Sequence, residues 1–411
     1  MQGVSENGVS SPAILNHNLK PYFPELAQFD STAELEKSDV YQKIKPQIEL
    51  IFNSVVGENF ASQIVENTET IRAIAWNIER GKELDGIIVA LKENEDLSNR
   101  DLLLLTELDY GMARSENRFV AREIAQELKL NYVFAPCYLA LNKGNSAEAD
   151  AEGENDQAIH GLALFSRFPI KNARIAPFPN GKDKMQGDEK RIGNLRGLIA
   201  EIEHPAGAFY GVTVHLDAHS SRAHRVRQMR ILLEDLDNLT PKLPVIIGGD
   251  WNTTTHNAQN STRAIMGYVR RIMMGAKNAV ENHYPHPERF FERELFQTLE
   301  NFGFEYKPFN SLGEGTLHYN VNSLSTNQML ADLIPHWCFP WITWALENVG
   351  DQFALRLDWF AGRGIKTAKG FEPKVVGNLI QPNGTPLSDH DAIVLDFTVN
   401  TVNSQQLPVE I

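Results

Sequence analysis

A two-layer β-sandwich flanked by helices, of mixed α/β (α+β) class, is the fold this sequence predicts, and three observations predict it. Short apolar runs recur along the chain at 71–76, 101–106, 132–134, 161–167, 195–203, 209–215, 244–250 and 392–398, most of them closed by Gly, Pro, Asn or a carboxylate. Runs of that length read as buried strands. Stretches with helical apolar spacing lie between them at 85–92, 120–130 and 222–239. The composition, 42% hydrophobic and 22% charged over 411 residues, suits one large soluble sandwich carrying insertions.

The elements follow in order. Residues 1–30 mix Ser, Asn, Gly and Pro and read as an irregular arm. Ser31 and Glu34 match a capping box, and helical spacing continues to Val56 with Pro46 placed to kink or split it. Residues 1–70 are therefore an arm and helical appendage, 71–400 the sandwich, and 401–411 a tail. Residues 142–156 are acidic and read as a mobile loop. About a hundred residues, 253–356, separate Asn252 from the next strand, too many to lack structure of their own. Helical spacing at 262–278 and 287–302 makes this insertion largely helical. Its aromatic run, with Trp337, Trp341 and Trp344, reads as a small local core, with a lipid-contacting lip as the sharper alternative.

The net charge of −14 disfavours non-specific adhesion to polyanions and leaves room for local basic grooves. Two distant cysteines, Cys137 and Cys338, read as free thiols of a reducing compartment. No basic start followed by an apolar core opens the chain, and no run approaches the ~20 residues of a membrane span. The expectation is a cytoplasmic monomer without a transmembrane segment, a secreted form with its leader removed remaining open.

The chemistry is concentrated where strands stop. The run 244–247 enters Gly248, Gly249, Asp250, Trp251 and Asn252. Alone it reads equally well as a turn, because these are turn residues. Asn77, Glu107, His215, Asp358, Asp389 and His390 also stand at strand ends, and strand ends at one edge of a sandwich converge. An oxygen-rich set of Glu, Asp and Asn suits a hard divalent cation, Mg²⁺ or Mn²⁺. Histidines without Cys or an HExxH pattern suit acid–base work better than zinc binding.

Together, Trp76-Asn77, Thr106-Glu107, Val214-His215-Leu216, Gly249-Asp250-Trp251-Asn252, Leu357-Asp358 and Ser388-Asp389-His390 resemble the endonuclease/exonuclease/phosphatase superfamily, over about 71–398 apart from the insertion. The resemblance implies a DNase I-like four-layer sandwich and metal-dependent phosphoester hydrolysis. It implies Glu107 as principal metal ligand with Asn77 beside it, and Asp389 as a further, often water-mediated, contact. Asp250 and Asn252 match the pair that orients water and scissile phosphate. His390 matches the histidine at the phosphate, Asp358 the carboxylate that holds it, and His215 a group at the leaving oxygen. Two departures are visible: Gly161-Leu162-Ala163 replaces a common Gly-Asn-Ala, and the insertion after Asn252 is long.

Secondary candidates for substrate contact are Arg114, Asn117 and Arg118 in the loop after Glu107, Arg222 near the strand end, and His160, whose first reading is structural. The expected activity is that of a phosphodiesterase, with nucleic acid the leading substrate. A sphingomyelinase-like lipid phosphodiesterase, a phosphomonoesterase for small phosphates and a phosphate-binding module without turnover are the alternatives.

Overall fold

A computed structural model describes residues 8–61, 69–145, 148–253, 261–320, 340, 344 and 352–399. In chain order the strands are β1 (Val56–Glu58), β2 (Thr70–Arg80), β3 (Leu102–Tyr110), β4 (Asn131–Ala140), β5 (Ile159–Ser166), β6 (Ile170–Pro177), β7 (Arg191–Gly193), β8 (Arg196–Ile202), β9 (Phe209–Val214) and β10 (Val245–Asp250). They continue as β11 (Leu317–Asn320), β12 (Gln352–Leu355), β13 (Asp358–Arg363), β14 (Ile365–Thr367), β15 (Lys374–Val376) and β16 (Ala392–Val399). The larger sheet runs β1-β4-β5-β3-β2-β16-β14, with β7 on β4 and β15 on β16. The smaller runs β13-β10-β9-β8-β6, and β11 pairs with β12. The two main sheets and their flanking helices make the four-layer DNase I-like sandwich.

Alternation along the central strands explains the layers. On β2 and β3, Ala73, Ala75, Leu102 and Leu104 face the smaller sheet, where they meet Val212, Ile247 and Phe360 in one core. Ile74, Trp76, Leu103 and Leu105 point the other way, into a second core beneath the helices Asp39–Phe52, Leu84–Glu93 and Val120–Leu128. A strand covered on both faces reads as an unbroken apolar run rather than an alternating one, and every residue of β4 and β5 is buried. β6, at the sheet edge, is only partly buried and carries a bulge between Lys171 and Arg174, so no period of two marks it in the sequence.

The outer face of the smaller sheet is covered by the helices Arg222–Asp237 and Arg293–Asn301. Leu232, Leu233 and Leu236 of the first share a core with Leu295, Phe296 and Leu299 of the second. The second helix belongs to the long insertion, so that segment completes a layer of the sandwich. Its described parts are helical until the hairpin of β11 and β12. Trp337 and Trp341 lie outside the described residues, while Trp344 is 62% exposed. Among the described residues no helix is long and apolar enough to cross a membrane.

At the N-terminus, Leu15, Leu19, Phe23 and Leu26 are buried in the second core, and β1 pairs with β4. The Ser31 hydroxyl accepts the Glu34 amide as the capping box requires, but that helix ends at Leu35 and Ser38 caps a new one. The new helix, Asp39–Phe52, runs through Pro46 without splitting. Pro46 lies on the exposed face, opposite Ile44, Ile48 and Ile51, so its ring disturbs no packing.

Candidate active site

Asn77 and Glu107 do not terminate their strands, as the sequence suggested; β2 and β3 continue to Arg80 and Tyr110. Between Asn77 and Arg80 the β2–β3 pairing slips, and between Leu105 and Leu108 the β3–β5 pairing slips as well. Glu107 takes φ 57° and Asn252 takes φ 50°, in the left-handed region that side chains other than Gly, Asn and Asp seldom occupy. Bulges of this kind turn a side chain out of the strand's alternation. The two slips aim Asn77 and Glu107 into one cleft.

β10 ends at Asp250 and β13 begins at Asp358, the two being direct partners in an antiparallel register. Likewise His390 precedes β16, which runs antiparallel to β2. Asp358, Asp389 and His390 therefore open strands rather than close them, and antiparallel pairing brings their beginnings to the ends of β10 and β2. Gly249 makes the approach possible: at φ 135°, a Cβ there would sit 2.1 Å from the Val214 carbonyl oxygen. That strand delivers His215.

The centre is a single oxygen. Asp250 Oδ2 accepts the Asn77 amide at 3.1 Å and the Asn252 amide at 3.2 Å. It also lies 3.4 Å from His215 Nε2 and 3.8 Å from His390 Nε2. The Asn77 amide donates as well to Glu107 Oε1 at 3.0 Å. Asn252 is fixed by its own amide N–H on Asp250 Oδ1 at 2.8 Å and by its side chain on the Leu216 carbonyl at 2.9 Å. His390 Nδ1 donates to Asp358 Oδ2 at 2.8 Å. The Ser388 hydroxyl donates to the Asn77 carbonyl at 2.7 Å and accepts the His390 amide at 3.1 Å, locking that turn onto β2.

Seven of the eight expected central residues thus form one connected cluster. Asp389 is adjacent to it but exposed, its backbone N–H bound to Glu79 Oε2 at 3.2 Å. Among the described residues no hydrogen bond or ion pair joins its carboxylate to the other seven.

Charges are set by these contacts. Burial works against an ionised Glu107, but Arg80, His215, His160 and the Asn77 amide outweigh it and hold the carboxyl well below its usual range. Burial likewise opposes a charged His390; Asp358 and Asp250 overcome it and keep the imidazole protonated well above its usual range. Asp250 is pushed upward by burial and by the neighbouring Asp358. The donor atoms of Asp250, Asp358 and His390 lie within 4.8 Å of one another, so this buried group could itself hold a cation. The direct His390–Asp358 hydrogen bond gives the same proximity a second basis.

The secondary candidates are committed elsewhere. Arg114 is buried, with Nε 2.7 Å from Asp109, and Nη1 3.1 Å from Glu148 and 3.0 Å from Glu189. With its fork filled by three carboxylates, it ties loops together and has no edge left for a phosphate. His160 Nδ1 faces Asp109 at 2.8 Å; burial lowers its pKa, and its structural reading stands. Asn117 donates to the Glu154 carbonyl at 2.9 Å and accepts the Asp156 amide at 3.0 Å, tying its loop to the 142–156 segment. Arg118 pairs with Glu123 and Asp85. Arg222 is exposed and donates to the Phe291 carbonyl at 3.1 Å.

Two contributors were missed. Arg80 stands 3.9 Å from Glu107, and only its place three residues after Asn77 hinted at the cleft. Thr316, inside the insertion, donates its hydroxyl to Asp358 Oδ2 at 2.6 Å. No signal marked it. Its carbonyl also accepts the Asp391 amide at 2.7 Å, and Leu317 bridges to His390.

The endonuclease/exonuclease/phosphatase family model matches residues 74–390. The chain belongs to the endonuclease/exonuclease/phosphatase family. No curated protein matches it in sequence. Among solved structures it is similar to an endonuclease/exonuclease/phosphatase from Beutenbergia cavernae DSM 12333, at 14% identity and TM-score 0.44, covering 80% of this chain and 72% of that one. It is similar to D. rerio TDP2 complexed with single strand DNA product, at 15% identity and TM-score 0.45, covering 81% and 100%. The human Nocturnin catalytic domain with bound sulfate anion matches at 17% identity and TM-score 0.39, covering 84% and 97%.

Proposed function

We propose that this family member is a divalent-metal-dependent phosphodiester hydrolase that cleaves by in-line attack of water on phosphorus. The observation that carries the reading is the convergence on Asp250 Oδ2 of Asn77, Asn252, His215 and His390, from four separate stretches of chain, with Glu107 one hydrogen bond away. The donor set fits a hard cation. Glu107 is a half-buried carboxylate kept ionised, beside the carboxamide of Asn77 and near Asp389. When bound there, Mg²⁺ or Mn²⁺ would neutralise charge on the phosphoryl oxygens.

The chain's own groups do the rest. Asp250 accepts a proton from the attacking water while the amide of Asn252 orients it and the phosphate. His390, charged and held by Asp358, donates a hydrogen bond to a non-bridging oxygen whose charge grows in the transition state. His215 faces the same space and protonates or stabilises the leaving oxygen. Nucleic acid is the leading substrate, with lipid phosphodiesters and small phosphate monoesters as the rivals.

Hydrolysis of bis(4-nitrophenyl) phosphate, with and without EDTA, tests the class. Comparing plasmid nicking with phosphocholine release from sphingomyelin vesicles then separates nucleic acid from lipid. Metal-dependent turnover of neither a diester nor a monoester would reject the proposal.

A further inference from the structure

Beyond the cleft, a recess of about 230 Å³ is lined by the cations Lys182, Lys184 and Arg191, by His219, and by the carboxylates Asp183, Asp188 and Glu189. Two routes link it to the site. His219 lies four residues past His215 on the same loop. A chain of ion pairs also leads there from Glu107: Arg80 is 3.9 Å from Glu107 and 3.1 Å from Glu148, Arg114 joins Glu148 to Glu189, and Glu189 holds Arg191.

Two of the three carboxylates at the recess are spent, and the third, Asp188, is exposed. Asp183 accepts the backbone and hydroxyl of Thr32, and Glu189 lies between Arg114 and Arg191. Lys184 is anchored by Asp217 at 3.1 Å and sits with Arg191 over the Tyr138 ring, which fixes both cations toward the recess wall. Among the described residues neither the Lys182 ammonium nor the His219 ring has a hydrogen-bond partner. Burial first, then Lys184, Arg191 and Lys182, lower the pKa of His219 to about 4 against the opposing charge of Asp217.

We propose that this recess is a subsite for a second, unreacting phosphate group of the substrate. The proposal rests on the phosphoester reading of the cleft and narrows its substrate to molecules carrying more than one phosphate. A phosphate there would neutralise the converging cations, accept from Lys182 and Arg191, and favour the protonated form of His219. The fixed separation of the two sites would then select substrates by the spacing of their phosphates.

Binding is tested without turnover by titrating the full chain with inorganic pyrophosphate and following the His219 ring by NMR, assigned with H219Q. The expected result is an upward shift of the His219 titration by at least about one pH unit, absent in K182A; no shift in the wild-type chain overturns the subsite. Kinetics supply the second arm. Thymidine dinucleotides with and without a terminal phosphate are compared with an inositol polyphosphate series, separating nucleic-acid from small-molecule sources of the phosphate. K182A and H219Q should each cut the preference for the phosphate-bearing substrate about tenfold, through KM. An unchanged preference in both variants overturns the proposal. Loss of all metal-dependent turnover would instead reject the reading of the cleft, with the pyrophosphate titration still deciding the recess.

Discussion

Thr316 donates its hydroxyl to the same oxygen of Asp358, Oδ2, that receives His390 Nδ1, at 2.6 and 2.8 Å. The hydroxyl oxygen in turn accepts the backbone N–H groups of Leu357 and Asp358, each at 3.1 Å. A residue of the insertion thus fixes the carboxylate that holds the site's charged histidine. Thr316 acts through Asp358 and is a positioning residue. Thr316→Val should lower kcat about tenfold with little change in KM, and cost about 1–2 kcal/mol of stability. Thr316→Ser, which keeps the hydroxyl, should restore kcat to within about threefold of wild type. Equal losses in Val and Ser variants would show that the methyl packing matters and the hydrogen bond does not.

Asp358 is fully buried, and its Oδ1 has no hydrogen-bond partner among the described residues. Its negative charge is what favours the imidazolium of His390. Asp358→Asn keeps the shape and removes the charge, so turnover should fall about a hundredfold or more while stability changes by about 1–2 kcal/mol. Parallel urea unfolding and steady-state kinetics make the comparison. Activity falling no further than the folded fraction would reduce Asp358 to a structural group.

Glu107 tests the cation directly. Calorimetric titration with Mn²⁺ should show binding to the wild-type chain and at least tenfold weaker binding to Glu107→Gln. Asn77→Asp, which adds a carboxylate beside the same position, should retain binding. Undiminished affinity in Glu107→Gln would relocate the ion, with the buried Asp250, Asp358 and His390 group the next candidate.

His219 supplies a pH signature of stability. Its folded pKa, about 4, lies below the ordinary 6.5 because burial and then Lys184 disfavour its charge. The unfolded chain therefore takes up this proton first. Stability present above pH 6.5 is lost as pH falls toward 4, by on the order of 1–2 kcal/mol for this partly exposed group. Relative to H219Q, wild type should lose that much between pH 7 and 4.5 in denaturant unfolding. Parallel stability curves for the two proteins would contradict the shift.

How much of this the sequence carried depends on burial. β3, β4, β5 and β10 were legible because both faces are covered and each carries an unbroken apolar run. β1, β7, β14 and β15, three residues each, are too short to carry a period. The central cluster was legible because Asn77, Glu107, His215, Asp250, Asn252, Asp358 and His390 each adjoin such a run. The bulges that aim Asn77 and Glu107 were not, since a slip in register is a property of the paired strand. Nor was Thr316, whose contact with Asp358 spans 42 positions and depends on how the insertion folds back. Arg114 misled for the opposite reason: it follows Glu107 closely, yet Asp109, Glu148 and Glu189 surround it only in three dimensions.

The most direct test is metal-dependent hydrolysis of bis(4-nitrophenyl) phosphate by the wild-type chain, Glu107→Ala and His390→Ala under one set of conditions. Turnover should require Mg²⁺ or Mn²⁺, stop on addition of EDTA, and fall by about a hundredfold or more in each variant while both remain folded. Wild-type turnover that persists in EDTA, or that both folded variants retain, would contradict the assignment of this cleft.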